Sequence, residues 1–98
     1  MKANETTAET TASGVKQTLH NAANKHPRKK YALRLYSAEV RDGHRPGVVV
    51  VNLLCYYERE IAALTNELKK AVGKAARVAP MIESMDGETG DWLVTFAA

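Results

Sequence analysis

The stretch GVVVVNLLCYYEREIAALTNELKKAVGKAARV, residues 47–78, decides the fold. Val48, Val49, Val50 and Val51 are β-branched, so they lose rotamer freedom in a helix but pack well on a pleated surface. With Leu53, Leu54 and Cys55 they make an apolar run behind Pro46-Gly47, the pattern of a buried central strand. Strand alternation puts Val48, Val50 and Leu54 on one face, with Asn52 among them, and Val49, Val51, Leu53 and Cys55 on the other. Both faces are apolar, so both demand a cover.

Downstream, Tyr57, Ile61, Leu64, Leu68, Ala71 or Val72, and Ala75 recur at three- and four-residue steps, the stripe of a helix lying on a sheet. Glu58 and Glu60 near its start and Lys69, Lys70, Lys74 and Arg77 near its end complement the helix dipole. Pro80 is the firm stop. Gly73, which costs about 1 kcal/mol relative to Ala in a helix, is an earlier alternative. Asn52 could also cap a helix beginning at Leu53, but the longer strand is the preferred reading.

Upstream, residues 31–40 (YALRLYSAEV) alternate Tyr31, Leu33 and Leu35 with Ala32, Arg34 and Tyr36, which predicts a half-buried strand. Residues 41–47 carry two glycines and a proline and join it to the valine run as a hairpin. Beyond the helix, residues 79–85 read as a weaker strand and 86–90 (DGETG) as a turn. Residues 91–98 read as a last strand with Trp92, Val94 and Phe96 on one face. Residues 1–13 contain almost no bulky apolar group and read as a disordered tail. Residues 13–24 suit a short helix capped by Ser13, too short to stand without docking.

The expectation is therefore one α+β domain over residues 14–98: a four-stranded, mainly antiparallel sheet in the order β-β-α-β-β, one long amphipathic helix on one face, and a short N-terminal helix as an option. That helix, or another protein surface, is expected to cover the second face of the valine strand. With 98 residues the core is small, which favours association, and a homodimer is the expected assembly. Hydrophobic residues at 45% and charged ones at 26% are ordinary for a globular chain. No apolar run approaches the ~20 residues that span a bilayer, and the N-terminus has no apolar leader. A single cysteine forms no internal disulfide and fits a reducing, cytoplasmic setting.

Charge is unevenly distributed. Between residues 25 and 45 there are seven Lys and Arg side chains against Glu39 and Asp42, whereas residues 79–98 hold Glu83, Asp86, Glu88 and Asp91 with no Lys or Arg. Clustered cations neutralise phosphates and release counterions, and neighbouring tyrosines can stack on unpaired bases. Lys29, Lys30, Arg34, Arg41 and Arg45, extended along the helix by Lys70 and Arg77, are the candidate nucleic-acid-binding residues. An Arg/Lys-rich edge also serves solubility and blocks strand-edge pairing. No zinc-finger spacing, RNP-type signature or KH loop accompanies it.

Asp86, Glu88 and Asp91 lack the spacing of a calcium loop and suit a turn. His20, His26 and His44 have no metal-ligand companions, and Cys55 in an apolar run reads as inert core. No phosphate-cradling glycine loop or nucleophile elbow is present. Neither metal nor cofactor is expected, and no enzymatic activity. A catalytic reading would need a pocket holding a histidine and a carboxylate within hydrogen-bond reach. The function expected is that of a small accessory or regulatory protein acting on nucleic acid or a nucleoprotein complex. The alternative is a protein-interaction module, an inhibitor or adaptor of bacterial or phage type, using an apolar sheet face or the helix.

Overall fold

The computed structural model describes residues 11–96. Its elements in chain order are helices α1 (Ala12–Lys25) and α2 (Lys29–Tyr36), strands β1 (Glu39–Asp42) and β2 (Val48–Leu54), helix α3 (Glu60–Val72), strand β3 (Ala76–Met81), a 3-10 turn at Ile82–Ser84 and strand β4 (Thr89–Phe96). The strands form one antiparallel sheet in the order β1-β2-β4-β3. The α+β class and the four-stranded antiparallel sheet expected from the sequence are what the chain adopts. The valine strand lies inside the sheet, hydrogen-bonded to β1 on one side and β4 on the other.

The helices pack against a single sheet face. Val49, Val51 and Leu53 of β2, with Trp92 and Val94 of β4, meet Val15 and Leu19 of α1, Leu35 of α2, and Leu64 and Leu68 of α3. The molecule's shortest dimension, 19 Å, is that of one helical layer on one sheet. Trp92 is 0% exposed, and its indole Nε1–H donates to Thr65 Oγ1 on α3 at 2.8 Å, which satisfies the one polar atom of the ring.

Several local expectations are corrected. Residues 31–36 are helical, not a strand: Tyr31 and Leu35, four apart, turn toward the core while Leu33 is 68% exposed. Helix α1 begins at Ala12, capped by Thr11, whose Oγ1 accepts the Gly14 N–H at 3.3 Å, so Ser13 lies within the helix. The rest of the expected tail, residues 1–10, lies outside the described residues. Helix α3 covers only Glu60–Val72, leaving Tyr57 and Ala75 outside it, and ends at Gly73 with φ 88°. Glycine tolerates that left-handed conformation at little cost, which makes it the stop in preference to Pro80. The chain then re-enters the sheet at Ala76, earlier than expected, with Pro80 inside an edge strand where one missing N–H is tolerated.

The sheet's second face is not covered by the short N-terminal helix, the first of the two covers expected for it. Helix α1 packs beside α2 and α3 rather than across it, and no described helix covers it. Val48 and Val50 are nevertheless buried, at 3% and 7% exposure. In register they are flanked by Arg41, Leu93 and Thr95, whose side chains share that face.

The β1–β2 hairpin is closed by the Gly43 N–H, which donates to the Val48 carbonyl at 2.7 Å. A Cβ on residue 43 would lie 2.8 Å from that carbonyl oxygen and 2.6 Å from Val48 Cγ1. Gly43→Ala is therefore expected to lower unfolding free energy by about 1–3 kcal/mol. Denaturant titration checks this, and an unchanged midpoint would mean the hairpin relaxes freely.

Candidate nucleic-acid interface

The densest basic surface is built at the turn between α1 and α2. Lys25 ends α1, where a cation suits the negative end of the helix dipole. Pro27 cannot continue the helix, and Arg28 sits at the N-cap of α2. The turn is fastened by His26: its Nδ1 accepts the Arg28 backbone N–H at 3.0 Å. That leaves Nε2 to donate to Glu67 on α3. The turn is thereby held against the C-terminal half of α3.

Between them lies a groove of about 510 Å³, lined by Lys25, Arg28 and Lys70 over a floor that includes Leu35 and Ala71. Among the described residues, the only carboxylate lining it is Glu67, which is mostly buried and engaged by His26, with Lys70 Nζ at 3.8 Å. Three cations drawn from α1, the turn and α3 thus face one concavity. Lys29 is exposed at the start of α2, immediately beyond Arg28.

The candidate cations named from sequence do not form a single surface. Lys29 and Lys70 belong to the helical side. Arg34 is only 5% exposed: its Nη1 pairs with Glu60 Oε2 at 2.7 Å and its guanidinium lies over the Tyr56 ring. It is committed to the interior and withdrawn from any phosphate surface. Lys30 reaches the same Glu60 oxygen at 3.0 Å, with its side chain more than half exposed. Arg41 and Arg77 share the opposite sheet face, where Arg41 pairs with Asp91 at 3.0 Å. Arg45 is exposed in the hairpin loop. Sequence reasoning left Lys25 and Arg28 out of the site, although both flank the proline turn in the same basic run. The signal was that proline, which bends the run so that its two ends converge.

Glu60 ties three segments together. Besides Arg34 and Lys30, it accepts the backbone N–H groups of Tyr56 (3.1 Å) and Tyr57 (3.2 Å) through Oε1, closing the start of α3. Burial alone would push its pKa up; the hydrogen bonds and charges of Arg34 and Lys30 outweigh that and bring it from 4.5 to about 2. The cluster is a structural lock between α2 and α3.

Other expected features are separated in space. Asp86 accepts the N–H groups of Thr89 (2.7 Å) and Glu88 (3.0 Å) and the Thr89 hydroxyl (2.9 Å), an Asx-type turn that holds its carboxyl below the ordinary range. Asp91 lies on the sheet, where it accepts from Asn52 at 2.8 Å, so Asn52 is a satisfied strand amide. Burial pushes the Cys55 thiol upward, with the Glu60 carboxylate adding to the effect, away from nucleophilic reactivity. Among the described residues no group of three or more His, Cys, Asp and Glu is placed to hold a metal ion.

His26 and Glu67 are a histidine and a carboxylate in contact within a groove. They do not make a general base, because both imidazole nitrogens are already engaged, one by the Arg28 amide and one by Glu67. A base oriented by a carboxylate needs its second nitrogen free to face a substrate proton. No helix among the described residues is long and apolar enough to cross a membrane. Comparison of the chain with protein-family models, with curated proteins and with solved structures finds no match to any of them.

Proposed function

We propose that the chain is a non-enzymatic accessory or regulatory protein that meets the phosphates of a nucleic acid, free or within a nucleoprotein complex. The contact is made through the α1–α2 turn and the C-terminal half of α3. One observation carries this reading: Lys25, Arg28 and Lys70 converge on one groove whose sole lining carboxylate is already engaged by His26. Lys29 extends the cationic surface beyond the groove. Phosphate contacts of this kind release counterions and carry no sequence information themselves, so binding through them is largely independent of sequence.

The test is a titration of labelled single- and double-stranded DNA and RNA at increasing salt. Three to four phosphate contacts predict a slope of log affinity against log salt of about −2 to −4. Absence of binding to all four at low salt would end the reading.

A protein partner is the second reading, and the exposed apolar side chains favour it. They are Leu33 and Tyr36 of α2, Leu54 at the end of β2, Tyr56, Tyr57 and Ile82, whereas Val48 and Val50 are buried.

A further inference from the structure

Among the described residues, five of the six large apolar side chains left exposed fall into two patches. One contains Tyr56, Tyr57 and Ile82. It surrounds a hollow of about 300 Å³ whose floor includes Cys55, Ile61 and Met85. Its surroundings are acidic: Glu58 lines the hollow, and Glu83, Asp86 and Glu88 stand exposed on the neighbouring 3-10 turn and loop. The cations nearby are already engaged: Arg59 lies over the Tyr57 ring at 4.9 Å, while Arg34, over the Tyr56 ring, pairs with Glu60, which Lys30 also reaches. The other patch contains Leu33 and Tyr36 of α2. It borders a hollow of about 270 Å³ lined also by Ala23, Ala32 and Lys29, with no carboxylate among its lining residues. Lys25 and Arg28 stand exposed beside it.

Each patch is a shallow apolar depression, the two are of similar volume, and the charges around them are of opposite sign. Exposed Ile82 (69%) and Leu33 (68%) are the protruding side chains, one per patch. We infer that the occupant of the acidic hollow is the basic α2 patch of a second copy of this chain. In that contact Leu33 and Tyr36 enter the hollow formed by Tyr56, Tyr57 and Ile82, while Arg28 and Lys29 meet Glu83 and Glu88. One such contact covers the α2 patch of one copy and the hollow of the other. The tyrosine rings suit a cationic neighbour: Tyr56 already carries the Arg34 guanidinium at 5.3 Å and Tyr57 that of Arg59. The interface is heterologous, joining different patches of the two copies, and is steered by charge. It does not depend on the chain binding nucleic acid.

The experiment is analytical ultracentrifugation of the full chain, freed of nucleic acid, over a range of concentration and salt. Two charge-reversed forms are compared with it: Glu83→Lys with Glu88→Lys, and Arg28→Glu with Lys29→Glu. All four positions are exposed, and circular dichroism checks that both forms fold. The unmodified chain is expected to self-associate, less so as salt rises. Each reversed form alone should associate at least ~10-fold more weakly. Mixing the two should restore association with the two forms in equal proportion, because each now carries the charge that the other has lost. A monomer at every concentration and salt would overturn the inference. So would self-association that survives either reversal, or a mixture in which the two forms ignore each other. Capture of a different, basic protein by a chain that stays monomeric would assign the hollow to that partner instead.

Discussion

Glu60→Ala is expected to cost about 3–5 kcal/mol, a large part of the ~5–15 kcal/mol available to a domain of this size. Glu60 is 6% exposed, and its removal leaves the buried Arg34 guanidinium without its counter-ion. It also orphans the amides of Tyr56 and Tyr57 at the entry to α3. Removing one member of a buried pair is worse than removing both. The double variant Glu60→Gln with Arg34→Met is therefore expected to recover much of the loss. Denaturant titration of the two forms checks the difference, and equal losses would mean the pair is not coupled.

The same residue predicts a pH dependence. Its folded pKa is lowered from 4.5 to about 2, so as the solution is acidified the unfolded chain takes up this proton first. The ion cluster contributes fully above about pH 4.5, and its contribution fades as pH falls toward 2. Unfolding midpoints measured through that window should fall for the natural chain. They should fall less for the Glu60→Gln, Arg34→Met form, which lacks this titrating group.

Trp92→Ala is expected to be comparably severe, at about 3–5 kcal/mol. The ring is fully buried beside Val51, its antiparallel register partner, beneath the helices. For a domain of this length, that loss lowers the melting temperature on the order of 20 °C. Trp92→Phe keeps most of the apolar volume but leaves Thr65 Oγ1 without its indole donor, although that hydroxyl still donates to the Ile61 carbonyl at 2.7 Å. A loss of about 1–2 kcal/mol is expected for it. Calorimetry of the two variants separates packing from hydrogen bonding.

The valine strand was legible because four β-branched residues in succession have few good alternatives to a pleated sheet, and its central place followed from apolar side chains on both faces. The stripe of α3 was legible in Leu64 and Leu68, both fully buried. Its ends were harder to read. Tyr57 continues the stripe by spacing alone, yet the chain has not entered the helix there, and Gly73 was strong enough to end it. Helix α2 was misread because Tyr31, Leu33 and Leu35 alternate as they would along a strand. The competing signal was composition: Lys, Ala, Leu and Arg in KKYALRLY are all good helix formers. Tyr31 and Leu35 also satisfy a helical i, i+4 spacing.

The candidate site was legible as charge and not as geometry. Arg34 counts as one more cation in the sequence, but it meets a carboxylate 26 positions away only after α2 and α3 pack. Lys25, Arg28 and Lys70 come together for the same reason, through the His26–Glu67 contact. The pairing that removes Arg34 has no local signature, and of the groove only the Pro27 turn that brings Lys25 and Arg28 together has one.

The division of cations between two faces gives the most direct test of the functional proposal. Affinity for a labelled nucleic acid at low salt is measured for the natural chain, for Lys25→Gln with Arg28→Gln and Lys70→Gln, and for Arg41→Gln with Arg77→Gln. The first variant is expected to lose about two to three units from the salt slope and most of its binding, while the second stays close to the natural chain. Equal losses in both, or a loss only in the sheet-face variant, would contradict the assignment of the groove.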